Sequence, residues 1–300
     1  MASAPMVKTQ APGYYRMMLG QFEVTALSDG TLALPVDQAL HQPPAKTVQA
    51  LAKSFLAAPL ETSFNSYLIN TGDKLVLVDT GAGALFGPTL GQLLANLKAA
   101  GYEPAQVDEI YITHMHPDHI GGLGAGNRVF PNAVVYADQR DARYWLSKTS
   151  MAQARADQQS YSTNAMAALG PYADAGKLHT FDGDTKLANG IRAVANYGHT
   201  PGHTTYVVES QGQKLVLIGD LLHVAAVQFD DPSVTIAFDT DSRAAPARRT
   251  AVLADAAKQG YLSGGAHLAF PGLGHVRASG KGYRYLPVNY TVPAQGAAAK

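Results

Sequence analysis

Three hundred residues are about two domains' worth at roughly 150 residues each, and 46% of them are hydrophobic, enough for a sizeable core. Charged residues are few, 15%, and cancel, 23 basic against 23 acidic, so no basic field draws in nucleic acid or anionic lipid, and chain-wide disorder is excluded. There is no cysteine, which rules out disulfide scaffolds, thiolate zinc sites, iron–sulfur clusters and a cysteine nucleophile. No apolar run approaches the ~18 residues that a membrane span needs.

Met1 to Pro12 holds one Lys and no apolar stretch, so it reads as a polar tail and not as a signal peptide. Strands are predicted at Phe22 to Leu27, Phe64 to Ile69 and Lys74 to Asp79, β-branched and aromatic with turn residues between them. A helix is predicted from Thr89 to Ala100, with Leu90, Leu93, Leu94 and Leu97 on one stripe and Gly101 as its stop. Glu109 to Thr113 is the next strand. Helices come next at Asp138 to Ser147 and at Thr163 to Ala173, the latter interrupted by Pro171. Strands are then expected at Ile191 to Asn196, Thr204 to Glu209, Lys214 to Ile218 and Val234 to Phe238, a helix at Ala247 to Lys258, and a final strand near His267. Lys74-Leu-Val-Leu-Val and Lys214-Leu-Val-Leu-Ile are near-identical strands, one in each half. Buried strands resemble one another by chance, but the echo also fits a fold of two similar halves. No low-complexity linker divides the chain, so one domain is expected over 13–290, with flexible tails at 1–12 and 291–300.

The strongest chemical signal is His114-Met115-His116-Pro117-Asp118-His119, where four of six positions are potential ligands directly after a strand. Neutral imidazole and carboxylate suit zinc, manganese, cobalt or iron, and separate sets can serve two ions. His114 and His116 can share one ion while Asp118 and His119 face a second. Gly121-Gly122 comes directly after and lets the backbone turn tightly. A second cluster is Tyr197-Gly198-His199-Thr200-Pro201-Gly202-His203, of which one histidine is expected to bind metal and the other to orient the loop. Asp220 ends a buried apolar strand, where an unpaired carboxylate would be costly; it reads as a ligand bridging two ions or as an N-cap.

His-x-His-x-Asp-His, then Gly-His-Thr-Pro-Gly-His, a strand-end Asp and a late His resemble the metallo-β-lactamase superfamily. The resemblance implies an αββα sandwich, two mixed β-sheets with helices on their outer faces, and a dinuclear metal site at the sheet edges. Ala11 to Arg16, Leu27 to Thr31, Thr80 to Ala82, Val224 to Ser233 and Phe270 to His275 look like the group of methyl parathion hydrolase and the dihydrocoumarin hydrolases. On that pattern His114, His116 and His199 would hold one ion. Asp118, His119 and His267 would hold the other, with Asp220 bridging. The family motifs select His199 over His203 and His267 over His275.

Two such cations make hydroxide available near neutral pH and polarise a carbonyl or phosphoryl oxygen. No protein nucleophile is then required, and the chain has no Gly-x-Ser-x-Gly elbow. Asp118 and Asp220 are candidates to hold or shuttle the water's proton. The Asp at 220 argues against zinc β-lactamase activity, the His at 116 against flavodiiron redox chemistry, and the zero net charge against RNA processing.

Phe86, Trp145 and Tyr161 match aromatic pocket positions of methyl parathion hydrolase, although each alone also reads as ordinary core. Organophosphate-degrading members carry Leu, Thr and Leu where this chain has His223, Ile236 and Phe238, and Arg where Ala39 stands. They also have one more residue between Trp145 and Met166. These departures narrow the expected pocket toward a planar aryl lactone or ester, with phosphotriesterase as a side activity and His223 as a catalytic candidate or a structural histidine. Organophosphate hydrolysis as the main activity is the alternative, and a non-catalytic metal-binding protein the rival from another class. No nucleic-acid or membrane partner is expected. The resemblance suggests a homodimer and a periplasmic or secreted location.

Overall fold

A computed structural model describes residues 4–292. Residues 4–12 are exposed and form neither helix nor strand. The remainder of the two predicted tails, 1–3 and 293–300, lies outside the described residues.

Two seven-stranded sheets are built in chain order. The first comprises β1 (Tyr14–Leu19), β2 (Phe22–Leu34), β3 (Leu60–Asn70), β4 (Leu75–Val78), β5 (Glu109–Tyr111), β6 (Val134–Asp138) and β7 (Leu178–Phe181). The second comprises β8 (Thr185–Ala188), β9 (Ile191–Ala195), β10 (Thr204–Ser210), β11 (Gln213–Leu217), β12 (Leu262–Gly264), β13 (Leu273–Ser279) and β14 (Gly282–Pro287). Val24, Ile69, Val76, Val78 and Tyr111 of one sheet share a core with Tyr206, Val208, Leu215, Leu217 and Leu273 of the other. Helices Leu93–Ala99, Gln139–Trp145 and Ala156–Asp174 cover the outer face of the first sheet, where Leu97, Trp145 and Leu169 meet Leu77, Ile110 and Val135. Helix Ala244–Gln259 covers the second through Leu253 and Ala256. This is the expected αββα sandwich.

The internal echo is a repeat of topology. β4 pairs antiparallel with β3 and parallel with β5, and β11 pairs antiparallel with β10 and parallel with β12. Side chains at matching sequence positions point opposite ways: Leu75 and Leu77 face helices, whereas Leu215 and Leu217 face the other sheet. Both faces of a central strand are buried, so an unbroken Leu/Val run satisfies either orientation.

Several elements differ from expectation. Val234 to Phe238 is no sheet strand: it forms one bridge, Leu40 to Ile236, because its backbone pairs with residues 39–41 instead. The strand expected near His267 is β12, which ends three residues earlier, and β13 and β14 come after it. The helix predicted over Thr163 to Ala173 starts at Ala156 and runs through Pro171 to Asp174. Pro171 has no N–H for the carbonyl of Ala167, and Gly126 N–H takes that acceptor. The helix predicted from Thr89 begins only at Leu93, whose N–H is accepted by the distant Asp29 carboxylate. Among the described residues no helix is long and apolar enough to cross a membrane.

Candidate metal centre

β5 ends beneath the first histidine loop, and Asp79, just past β4, anchors the start of that loop. Asp79 Oδ1 accepts Thr113 N–H at 2.8 Å, and Oδ2 accepts the Thr113 hydroxyl at 2.7 Å. His116 is extended, and Pro117 then opens the short helix Pro117–Ile120, so Asp118 and His119 turn back toward His114. The two glycines after the loop serve close approach: a Cβ on Gly122 would stand 1.9 Å from the Thr80 carbonyl oxygen.

Loops from the second sheet meet this one. His199 comes from the β9–β10 loop, Asp220 from beyond β11, and His267 from the loop after β12. His114, His116, His199 and Asp220 place one ligand atom each within 4.8 Å of one another, and so do Asp118, His119, Asp220 and His267. Asp220 belongs to both sets. Its Oδ2 lies 3.3 Å from His199 Nε2 and 3.1 Å from His267 Nε2, and its Oδ1 lies 3.2 Å from His119 Nε2. The second carboxylate, Asp118 Oδ2, is 3.2 Å from His119 Nε2 and 3.4 Å from His267 Nε2.

The donor set fits two divalent ions. His114 Nε2, His119 Nε2 and Asp220 Oδ1 are buried without a hydrogen-bond partner, a cost that ligation would remove. His116 Nδ1 and His199 Nε2 stand 3.1 Å apart, both turned to one point. Several rings are steered from behind: His119 Nδ1 by Asp79 at 2.8 Å, His199 Nδ1 by Asp239 at 2.9 Å and His267 Nδ1 by the Ser63 carbonyl at 3.2 Å. Burial would raise the Asp220 carboxyl, but the surrounding imidazoles, His119 foremost, hold it well below the usual carboxylate range. Burial would likewise keep His199 and His267 neutral, and the carboxylates, Asp220 foremost, lift them to about 9 and about 10. Cations would take the place of these protons, since an imidazole ligates only in its neutral form.

The other histidines are placed apart. His203 is buried, its Nε2 accepting Asp220 N–H at 3.0 Å and its Nδ1 facing the Asn196 carbonyl at 3.2 Å, so it holds the backbone of Asp220. His275 lies exposed on β13. His223 reaches Asp220 Oδ2 at 3.1 Å and stacks on His267 with ring centroids 5.1 Å apart. Burial pushes its imidazole down to about 4, leaving it neutral.

A cavity of about 200 Å³ opens over the cluster. His116, Asp118, Asp220, His223 and His267 form its floor, with Leu32, Leu34, Phe64, Phe86, Tyr161 and Phe238 as walls. Two expected pocket residues do not line it. Trp145 is fully buried and touches His116 from behind, ring centroids 5.3 Å apart. Ile236 is buried with Leu40 and Val224 in a small core behind the wall. Leu32, Leu34 and Phe64 went unnoticed in the sequence because strand residues near a sheet end look like any others. Asp79 and Asp239 were missed because a lone Asp carries no spacing; the strand echo ending at Asp79 was the available signal.

Residues 62–272 match the family described as the metallo-beta-lactamase superfamily. A crystal structure of a hydrolase in the beta lactamase superfamily, AbOPH, is similar with a TM-score of 0.90 at 35% identity, covering 95% of this chain and 100% of that one. AidC, a dizinc quorum-quenching lactonase in complex with a product, is similar with a TM-score of 0.86 at 27% identity, covering 93% and 99%. The N-acyl homoserine lactonase of Bacillus cereus is 26% identical over 194 residues, 58% of this chain and 70% of that protein.

Proposed function

The chain belongs to the metallo-β-lactamase superfamily, and on that premise we propose that it is a lactonase for compact aromatic lactones of the dihydrocoumarin kind, using two divalent ions, zinc foremost. As a member of that family it is a metal-dependent hydrolase with lactonase relatives. His114, His116 and His199 would hold one ion and Asp118, His119 and His267 the other, with Asp220 between them. When bound, such ions bring the pKa of water into the neutral range and polarise a carbonyl oxygen. Asp118 or Asp220 would hold the proton that the attacking water releases and pass it to the departing phenolate oxygen. His223 stands beside Asp220 on the cavity floor, where its neutral ring can donate a hydrogen bond to the lactone carbonyl or to the departing phenolate.

The observation that carries the substrate class is the cavity. At about 200 Å³ it is smaller than the usual ~300–1,000 Å³ of ligand sites, and Phe64, Phe86, Tyr161 and Phe238 give it aromatic walls. A planar bicyclic ester suits that space better than a phosphotriester with two alkoxy arms or a long acyl amide. The test is kcat/KM of the metal-loaded protein on dihydrocoumarin, a long-chain N-acyl homoserine lactone and an aryl phosphotriester. Dihydrocoumarin is expected to lead. A phosphotriester or long-chain lactone turned over faster would replace this substrate class.

A further inference from the structure

One buried carboxylate lies outside the cavity floor and walls and joins the two loops that carry three of the candidate ligands. Asp141 sits in helix Gln139–Trp145 and is 1% exposed. Its Oδ2 accepts Met115 N–H at 2.9 Å and the Thr200 hydroxyl at 3.0 Å, and its Oδ1 accepts Gly202 N–H at 2.6 Å. Met115 separates His114 from His116, while Thr200 and Gly202 lie just beyond His199. A Cβ on Gly202 would stand 2.6 Å from the Asp141 nitrogen and 3.0 Å from its side chain, so only glycine lets the second loop close on the carboxylate. A buried carboxylate is tolerated when donors satisfy it, and here those donors come from loops of two different sheets.

We propose that Asp141 is a positioning residue that sets the span between these loops and thereby assembles the three-histidine half of the centre, His114, His116 and His199. The inference rests on the two-ion reading above. The other half has separate supports, Asp79 behind His119 and the Ser63 carbonyl behind His267. Loss of Asp141 therefore weakens one ion site and spares the other. A role confined to general stability would show no such selectivity.

Asp141→Asn keeps the shape but turns one acceptor into a donor facing a backbone N–H, that of Met115 or of Gly202, so the loops must part. Thr200→Val removes one of the three hydrogen bonds and leaves the carboxylate in place. Zinc and cobalt(II) titrations of the ion-free full chain, monitored by metal content and by the cobalt absorption bands, read both sites. The wild type is expected to take two equivalents. Asp141→Asn should take the first with unchanged affinity and the second about tenfold or more weakly, with excess zinc restoring hydrolysis. Thr200→Val should shift the same second equivalent by less. Should Asp141→Asn fail to fold, Thr200→Val decides. Two equivalents bound by the wild type and by the variants with equal affinities would overturn the role of Asp141 alone, as would equal weakening of both. A wild type that binds fewer than two would overturn the two-ion reading and this inference with it.

Discussion

Asp220 is the residue on which both ligand sets converge, and its surroundings sort the ten histidines of the chain. Five of them, His114, His119, His199, His223 and His267, come within 3.6 Å of its carboxylate, whereas His203 reaches only its backbone. Metal analysis of single variants should track this geometry. Asp220→Asn, His199→Ala and His267→Ala should each lose at least one ion and most activity. His203→Ala should keep both ions while losing about 1–3 kcal/mol of stability, because Asp220 N–H is left buried without an acceptor. His275→Ala should change neither. Ions lost from His203→Ala but kept by His199→Ala would mean that the wrong member of the pair faces the metals. Four of the seven candidate ligands, His114, His116, Asp118 and His119, were legible as a run of donors after a strand, whereas the choice of His199 over His203 and of His267 over His275 came from the family motifs. Asp79, Asp141 and Asp239 act through hydrogen bonds across long sequence separations, which no local pattern encodes.

Among the elements, the segment from Leu221 to Asp239 brings His223 and Phe238 to the cavity, and it is held from beneath. Arg249, 1% exposed on helix Ala244–Gln259, donates to the carbonyls of Leu221, Pro232 and Val234. Gln228 accepts His223 N–H and Val224 N–H and donates to the Val234 carbonyl. This is why Val234 to Phe238 reads as a strand in sequence yet is none: Val234 and Ile236 are buried, but side chains and a short loop satisfy its backbone. The edge strands β1, β7, β8 and β14 escaped notice because they are short or half-exposed and lack a clean alternation. The wall sets a selectivity prediction. His223→Leu and Phe238→Leu widen the cavity directly, and Ile236→Thr loosens the core behind it. Together they should raise kcat/KM for an aryl phosphotriester roughly tenfold, about 1.4 kcal/mol, with coupling among the three, while lactone hydrolysis falls or stays level. Unchanged kinetics on both substrates in the triple variant would remove these positions from substrate selection.

At the scale of the molecule, the centre lies where the two halves meet. His114 to His119 come after a strand of the first sheet, while His199, Asp220 and His267 come after strands of the second. The repeated strand topology brings both loop sets to one edge, so fold and site share an origin that the sequence showed only as an echo. Ions bound there would link the sheets and compete with protons. In the ion-free protein His199 and His267 are raised to about 9 and about 10, hence protonated at neutral pH, whereas an ion needs them neutral. Metal uptake at pH 7 should release protons, and affinity should rise with pH through the neutral range. Calorimetric titration in buffers of different ionisation enthalpy measures this release; uptake without proton release would contradict the assignment of these two ligands.

On the proposed reading, hydrolysis depends on two ions held by seven named side chains. Stepwise addition of zinc to chelated protein, with dihydrocoumarin turnover measured against bound equivalents, tests it most directly. The expected result is no turnover without metal and its full return only as the second equivalent binds. Full turnover by protein shown to hold no metal would contradict the account.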